Sequence, residues 1–266
     1  MPTGPAPINV AAERLAEAAR TGVPVAPVRE LIGRTDVESG YAVQQEIVRR
    51  RREAGGVVVG RKIGLTSPAV QCQLGVDQPD FGVLFADMDV SRGVHIPSDR
   101  LVQPKVEAEI AFVLGRDLTT GDLDVAQVRD AVDGAVAALE IVDSRIADWN
   151  IAITDTIADN ASSGLFVLGD QRLRLDEFEP REVTMALYAA GERVAEGTGA
   201  ACLDNPINAL VWLARTAVTF GEPLRAGQIV LSGALGPMVP SPPGSKFHAE
   251  IGPFEPITAT FSAKEG

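Results

Sequence analysis

Short apolar runs that alternate with polar residues dominate the chain from about residue 56 onward. Their β-branched and aromatic content predicts strands at 57–63, 81–85, 106–114, 137–142, 165–168, 183–188, 193–195, 228–232, 247–251 and 257–261. Helical spacing of apolar residues, or helix-start residues, predicts helices at 67–74, 125–136 and 206–219. Many strands with few intervening helices predict a β-rich α+β fold and not a doubly wound sheet.

The first 55 residues have a different pattern, which is helical. After a loose tail at residues 1–7, Asn9 is a candidate N-cap for a helix ending near Arg20. Asp36 is a second candidate N-cap, and that helix ends before a pair of glycines. We therefore predict an N-terminal helical segment, residues 1–55, followed by a β-rich domain, residues 56–266.

Two carboxylates share one face of the predicted strand 106–114. Because side chains alternate along a strand, Glu107 and Glu109 point together, away from Val106 and Ile110. Like charges held together on an apolar strand repel, and a hard divalent cation such as Mg²⁺ or Mn²⁺ compensates them well. A solvated polar strand face is the alternative explanation.

Glu140 lies in a second, strongly apolar strand, where an unpaired carboxylate is costly. It is a third candidate metal ligand, or else it pairs with Arg145 or faces water at a sheet edge. Lys62, between Gly60 and Gly64, is a candidate proton-transfer group whose pKa burial would lower. A surface lysine on an edge strand is the alternative.

Other polar residues allow more than one interpretation. Asp77 and Asp80 could supply an acid–base carboxylate or simply form a turn. The small polar residues of 155–164 could line a pocket or end a helix. The glycine-rich segment 231–237 lacks nucleotide-loop spacing, and His95 and His248 fit no recognisable triad.

Composition and charge limit the classes of partner. The net charge of −12 argues against a nucleic-acid or anionic membrane surface, because either would require a basic patch. No apolar run reaches the roughly 20 residues of a membrane span, and the two cysteines have no metal-ligand spacing. We expect a cytoplasmic protein.

Six motifs, taken together and in order, resemble the 2-keto-4-pentenoate hydratase / 4-oxalocrotonate decarboxylase family of the fumarylacetoacetate hydrolase superfamily. The motifs are Gly60–Ser67, Asp77–Gly82, Pro104–Glu109, Leu139–Arg145, Asp159–Gly164 and Leu231–Pro237. The resemblance implies a β-rich roll of the fumarylacetoacetate hydrolase type with an N-terminal helical segment.

The resemblance also implies the site. Mg²⁺ or Mn²⁺ would be held by Glu107, Glu109 and Glu140. The same motifs place Lys62 and Asp80 in the pocket as catalytic groups, and Ser162 and Leu65 against the substrate. A homo-oligomer is expected, and a complex with a cognate decarboxylase, hydratase or downstream aldolase is left open.

The expected reaction is metal-dependent hydration of 2-hydroxypenta-2,4-dienoate in aromatic-compound catabolism. Decarboxylation of 4-oxalocrotonate, a vinylogous keto acid, would use the same ligands and is the first alternative. A non-catalytic partner subunit of such a decarboxylase is the second. Fumarylpyruvate-type hydrolysis ranks third, because it would need a His/Glu pair that His95 and His248 do not offer.

Overall fold

The computed structural model of the protein describes residues 4–67, 71, 78–93 and 95–263. Its helices are α1 (Pro5–Thr21), α2 (Arg29–Ile32), α3 (Val37–Glu53), α4 (Val125–Ala131), α5 (Ile153–Ala158) and α6 (Pro206–Thr219). Its strands are β1 (Val58–Gly64), β2 (Asp80–Phe85), β3 (Pro104–Leu114), β4 (Val132–Asp143), β5 (Ser163–Leu168), β6 (Thr184–Ala189), β7 (Glu192–Thr198), β8 (Ile229–Leu231), β9 (Val239–Pro240), β10 (Lys246–Ile251) and β11 (Ile257–Thr260). The predicted β-rich α+β fold is confirmed.

The main sheet has seven strands. Its order is β2-β1-β8-β3-β4-β5, and β9 adds to β3. The β1–β2 and β3–β4 pairs are antiparallel, and the three-residue strand β8 joins them, parallel to β1 and antiparallel to β3. Lys62 on β1 lies 3.1 Å from Glu140 on β4, although two strands separate them. The sheet must therefore curl, so that side chains on its concave face converge.

A second, four-stranded sheet has the order β11-β10-β6-β7. Both sheets contribute to one large apolar core, in which Phe112, Phe166 and Phe247 are among the largest fully buried side chains. Burial of such aromatic side chains supplies much of the free energy that stabilises the fold.

The N-terminal helices form a separate small core. Ala12 and Leu15 of α1, Ile32 of α2 and Val43 of α3 pack together with Ile146, which follows β4. The predicted cap at Asp36 is confirmed, because its carboxylate accepts a hydrogen bond from the Ser39 amide. The domain boundary near residue 55 stays a prediction.

Two predicted helix limits were wrong. The predicted helix 125–136 ends at Ala131, because Val132 and Val136 are β-branched residues that pair in β4 against β3. The first helix begins at Pro5 and not at Asn9, since proline at the first helical position needs no amide donor. The predicted helix 67–74 lies mainly outside the described residues. Among the described helices, none is long and apolar enough to cross a membrane.

Candidate metal and proton-transfer site

Three glutamates meet where β3 pairs with β4. Glu107 lies directly opposite Glu140 in the antiparallel register, and Glu109 follows on the same face of β3. One carboxylate oxygen from each residue lies within 4.8 Å of the others. Glu109 and Glu140 are almost fully buried, and Glu107 is partly exposed. The strand alternation and the register together build the cluster that the sequence predicts.

Burial and mutual repulsion disfavour the charged forms of the three carboxyl groups. Burial and the Glu140 carboxylate raise the pKa of Glu107 to about 7. Burial and the carboxylates of Glu140 and Glu107 raise the pKa of Glu109 well above its usual range. Burial raises the pKa of Glu140 as well. All three groups therefore resist carrying their negative charges together.

Unsatisfied oxygens show that the cluster suits a cation. Oε1 of Glu109 and Oε2 of Glu140 are buried and accept no hydrogen bond from any described residue. The Gly233 amide donates to the other oxygen of Glu109 at 2.8 Å, which fixes that carboxylate. Buried oxygens without partners are costly, and hard divalent cations prefer carboxylate ligands. The three glutamates fit such a metal ion.

Lys62 is buried beside the cluster. Its side chain is 3% exposed, and its Nζ lies 3.1 Å from Oε1 of Glu140. Burial alone would lower its pKa, as we predicted from the apolar strand. The carboxylates of Glu140, Glu107, Asp80 and Glu109 outweigh burial and raise the pKa of Lys62. The predicted direction was therefore wrong for the metal-free protein, in which Lys62 is a buried ammonium.

Asp80 opens β2 and lies opposite Gly64 on β1. Burial raises the pKa of its carboxyl group. Its Oδ2 accepts a hydrogen bond from the Thr156 hydroxyl at 3.0 Å, and its Oδ1 has no partner among the described residues. A Cβ at Gly64 would lie 2.2 Å from Oδ1 of Asp80 and 3.5 Å from Nζ of Lys62. Glycine therefore leaves room in which these two groups converge.

A strained turn closes over the same strands. Asn160, Ala161 and Ser162 all have positive φ, at 55°, 52° and 52°. Three successive non-glycine residues of this kind are unfavourable and indicate a functional constraint. The Asn160 side chain holds the turn by accepting from the amide of Val83 and donating to its carbonyl. The turn contacts Gly82, which lies opposite Lys62.

Arg145 fixes this turn from the other side. Its Nε pairs with Asp159 at 2.5 Å, and its guanidinium also donates to the carbonyls of Asp143, Asp159 and Ser163. Arg145 therefore does not pair with Glu140, which was the alternative to a metal-ligand role. Sequence reasoning did not find this clamp or the Thr156 contact, since both depend on long-range packing.

The remaining candidate site residues have different surroundings. The Ser162 hydroxyl is buried without a partner among the described residues, whereas Ser163 donates to the Asn160 carbonyl. Leu65 follows Gly64 and has a positive φ of 56°. His95 is exposed and His248 lies beside Glu250, so neither histidine belongs to the three-glutamate cluster, and Asp77 lies outside the described residues.

Metal affinity should depend strongly on pH. A cation must displace protons from carboxyl groups whose pKa is raised, and that of Glu107 is about 7. For each proton displaced, we expect the affinity for Mg²⁺ to fall up to about tenfold per unit of pH below that value. Isothermal titration of Mg²⁺ across this range measures the effect, and a flat profile would contradict the assignment.

The stability of the metal-free protein should fall as pH rises, whereas its affinity for Mg²⁺ should increase. A carboxyl group whose pKa is raised on folding stabilises the protein below its unfolded pKa, and this contribution is lost as pH rises through the folded value. The metal-free protein should therefore lose stability as pH rises from about 4.5, the ordinary glutamate pKa, to about 7, the raised pKa of Glu107. The increase in Tm on adding Mg²⁺ should grow over the same interval, as thermal unfolding with and without chelator would show.

Comparisons with known proteins agree with this geometry. A family model described as fumarylacetoacetate (FAA) hydrolase C-terminal matches residues 58–262. The TodF product hydratase of Pseudomonas putida F1 is 56% identical over 255 residues, covering 96% of this chain and 95% of that protein. The 2-keto-4-pentenoate hydratase of Paraburkholderia xenovorans LB400 is 51% identical over 255 residues, with coverage of 96% and 95%.

A solved structure extends the similarity to three dimensions. The 4-oxalocrotonate decarboxylase of Pseudomonas putida G7, complexed with magnesium and adipate, superposes with a TM-score of 0.91 at 30% identity. The superposition covers 96% of this chain and 97% of the decarboxylase. The family match spans most of the chain, and relatives more than half identical span nearly all of it. The chain therefore belongs to the fumarylacetoacetate hydrolase family, with the 2-keto-4-pentenoate hydratases and 4-oxalocrotonate decarboxylase among its relatives.

Proposed function

We propose that the protein hydrates 2-hydroxypenta-2,4-dienoate to 4-hydroxy-2-oxopentanoate, with a divalent metal ion as cofactor. The observation that carries the proposal is the buried carboxylate cluster beside Lys62 and Asp80. It occurs in a chain 56% identical to the TodF product hydratase and 51% identical to a 2-keto-4-pentenoate hydratase. The protein is thus proposed to be a hydro-lyase of aromatic-compound catabolism.

The metal ligands would be Glu107, Glu109 and Glu140, and Mg²⁺ or Mn²⁺ suits their oxygen atoms. The magnesium complex of the related decarboxylase supports a divalent cation. When bound, the cation would supply Lewis acidity and a template for the substrate carboxylate and 2-oxygen.

Lys62 and Asp80 are the proposed proton-transfer groups. Conversion of the dienol to its keto form requires a proton to leave the 2-hydroxyl and another to reach C5. Water then adds its hydroxyl at C4 and leaves a proton for C3. The ammonium of Lys62 would donate to carbon, and the carboxylate of Asp80, with its free Oδ1, would accept from oxygen.

Two further residues are proposed to bind the substrate. The unpartnered Ser162 hydroxyl would donate to the substrate carboxylate, since the strained turn holds it over β2. Leu65 would supply an apolar wall beside Gly64. Homo-oligomerisation, a complex with a decarboxylase, hydratase or aldolase, and a cytoplasmic location remain predictions.

Thr156 should position Asp80. Changing Thr156→Val removes the hydrogen bond to Oδ2, and we expect roughly a tenfold fall in kcat, since hydrogen bonds to charged groups are worth about 1.5–3 kcal/mol. The pKa of Asp80 should rise further, which moves the acidic limb of the pH–rate profile upward. Thr154→Val, in the same helix but bonded to the Arg34 carbonyl, is the matched control. An unshifted profile would remove Thr156 from the proton-transfer machinery.

Decarboxylation of 4-oxalocrotonate is the second candidate, favoured by the TM-score of 0.91 with that decarboxylase. A non-catalytic partner subunit is less consistent with a site that buries Lys62 and two of three clustered glutamates. Purified protein with Mg²⁺ should be assayed on the five-carbon dienoate and on 4-oxalocrotonate. Loss of dienoate absorbance without CO₂ release is expected; CO₂ release from 4-oxalocrotonate would favour the decarboxylase, and inactivity on both would favour the partner subunit.

A further inference from the structure

A cavity of about 520 Å³ lies on the reverse face of the β1–β2 hairpin. Side chains alternate along a strand, so Lys62 and Gly82 face the metal cluster, whereas Arg61 and Val83 face the other way. Arg61 and Val83 line the cavity floor, α3 forms one wall, and the end of α6 forms another. The cavity is therefore separate from the proposed catalytic site, and its size is typical of small-molecule sites.

The charges in this cavity do not balance locally. Arg61 and Arg52 share one carboxylate, Glu222: Arg52 binds it through two nitrogens at 2.6 and 2.9 Å, and Arg61 through one at 2.8 Å. The Arg61 side chain is only 3% exposed, and its Nε has no hydrogen-bond partner among the described residues. A buried guanidinium with an unused donor requires another acceptor.

Apolar and aromatic side chains form much of the remaining lining, and the polar part consists of Gln44, Gln45 and the Arg49–Glu53 ion pair on α3. The ring of Tyr41 stacks on Phe81 at 4.7 Å and contacts Phe220 at 4.3 Å. Val48 and Val83 are buried beside them. Apolar walls beside an incompletely neutralised arginine pair match a ligand with one negative charge and an apolar body.

We propose that this cavity binds a small monocarboxylate with an apolar ring or chain, whose carboxylate pairs with Arg61 and Arg52. The chain as a whole is acidic, with a net charge of −12, so this pair of arginines is a local site for an anion. The second carboxylate that the two guanidiniums lack would come from the ligand.

Benzoate and hexanoate are suitable probes, titrated calorimetrically into the full-length protein with Mg²⁺ present. We expect benzoate or hexanoate to bind with 1:1 stoichiometry, and benzyl alcohol, the neutral analogue of benzoate, at least about tenfold more weakly, because it lacks the charge-assisted hydrogen bonds. Arg61→Met should weaken carboxylate binding at least about tenfold. Arg129→Met, which removes an arginine paired with Glu179 elsewhere, should leave it unchanged.

A second variant separates binding from folding. Gln45 is exposed at the cavity lining, so Gln45→Trp should fill the cavity without removing a buried charge. Loss of carboxylate binding in this variant, with an unchanged unfolding temperature, supports the proposal. Two results would overturn it: no binding of either carboxylate at millimolar concentration, or binding that Gln45→Trp does not affect, which would place the ligand at the glutamate cluster.

Discussion

The substitutions Glu107→Gln and Glu140→Gln should each reduce turnover more than about 100-fold. Changing a residue that only orients a metal ligand already lowers metal affinity or activity about 10–100-fold. The amide is nearly the same size as the carboxylate but carries no negative charge, so the affinity for Mg²⁺ should fall with the activity. Steady-state kinetics over a range of Mg²⁺ concentrations, together with calorimetric titration of the metal, would measure both effects.

Stability provides an independent readout for these variants. Because three carboxylates repel one another in the metal-free protein, Glu107→Gln should raise its Tm while weakening the metal-dependent increase. Glu192→Gln, on an exposed hairpin, is the matched control and should change neither quantity. Full activity of Glu107→Gln after exhaustive chelation would contradict the metal assignment.

The substitution Lys62→Met should have the second largest effect on turnover. Lys62→Met removes the proposed proton donor, and general acid–base groups typically contribute about 10²–10⁴-fold to rate. It also leaves Glu140 without its partner, and breaking a buried ion pair costs about 3–5 kcal/mol. We expect kcat to fall at least about 100-fold and the metal-free protein to unfold at a markedly lower temperature.

Adding Mg²⁺ should distinguish the loss of the proton donor from the loss of the ion pair with Glu140. A divalent cation at the glutamates replaces the lost positive charge, so Mg²⁺ should raise the Tm of Lys62→Met more than that of the unchanged protein. Catalysis should not recover, because the cation does not replace the proton donor. Lys246→Met, on an exposed strand, is the control. Recovery of turnover with Mg²⁺ would show that Lys62 acts only by balancing charge.

Local alternation along the chain sufficed to predict part of the site. Because Glu107 and Glu109 are two residues apart in one strand, their shared face follows from backbone geometry alone. The approach of Glu140 depends on the register of β3 with β4, which the residue pattern left open among several partners. The family resemblance, and not spacing, selected it as a ligand.

Other features depend on contacts that no local pattern contains. The pKa of Lys62 moves opposite to the prediction because carboxylates from β2, β3 and β4 surround it, and a single apolar strand gives no sign of them. The left-handed turn at residues 160–162 contains no glycine, and Asn160 is its one residue of a type that often adopts this conformation, so its composition gives little sign of it. It persists because Asn160 and Arg145 bind backbone groups far away in sequence.

The short strand β8 also determines when the site can form during synthesis. The hairpin β3–β4 and the hairpin β1–β2 have no direct pairing, and Ile229–Leu231 provides the backbone bridge between them. After β4 is complete, a ribosome must make 85 more residues before β8 begins and that bridge can form. Contacts between such distant segments form slowly. A nascent chain should therefore carry its glutamate pair early, with the lysine joining it only after β8 has been made.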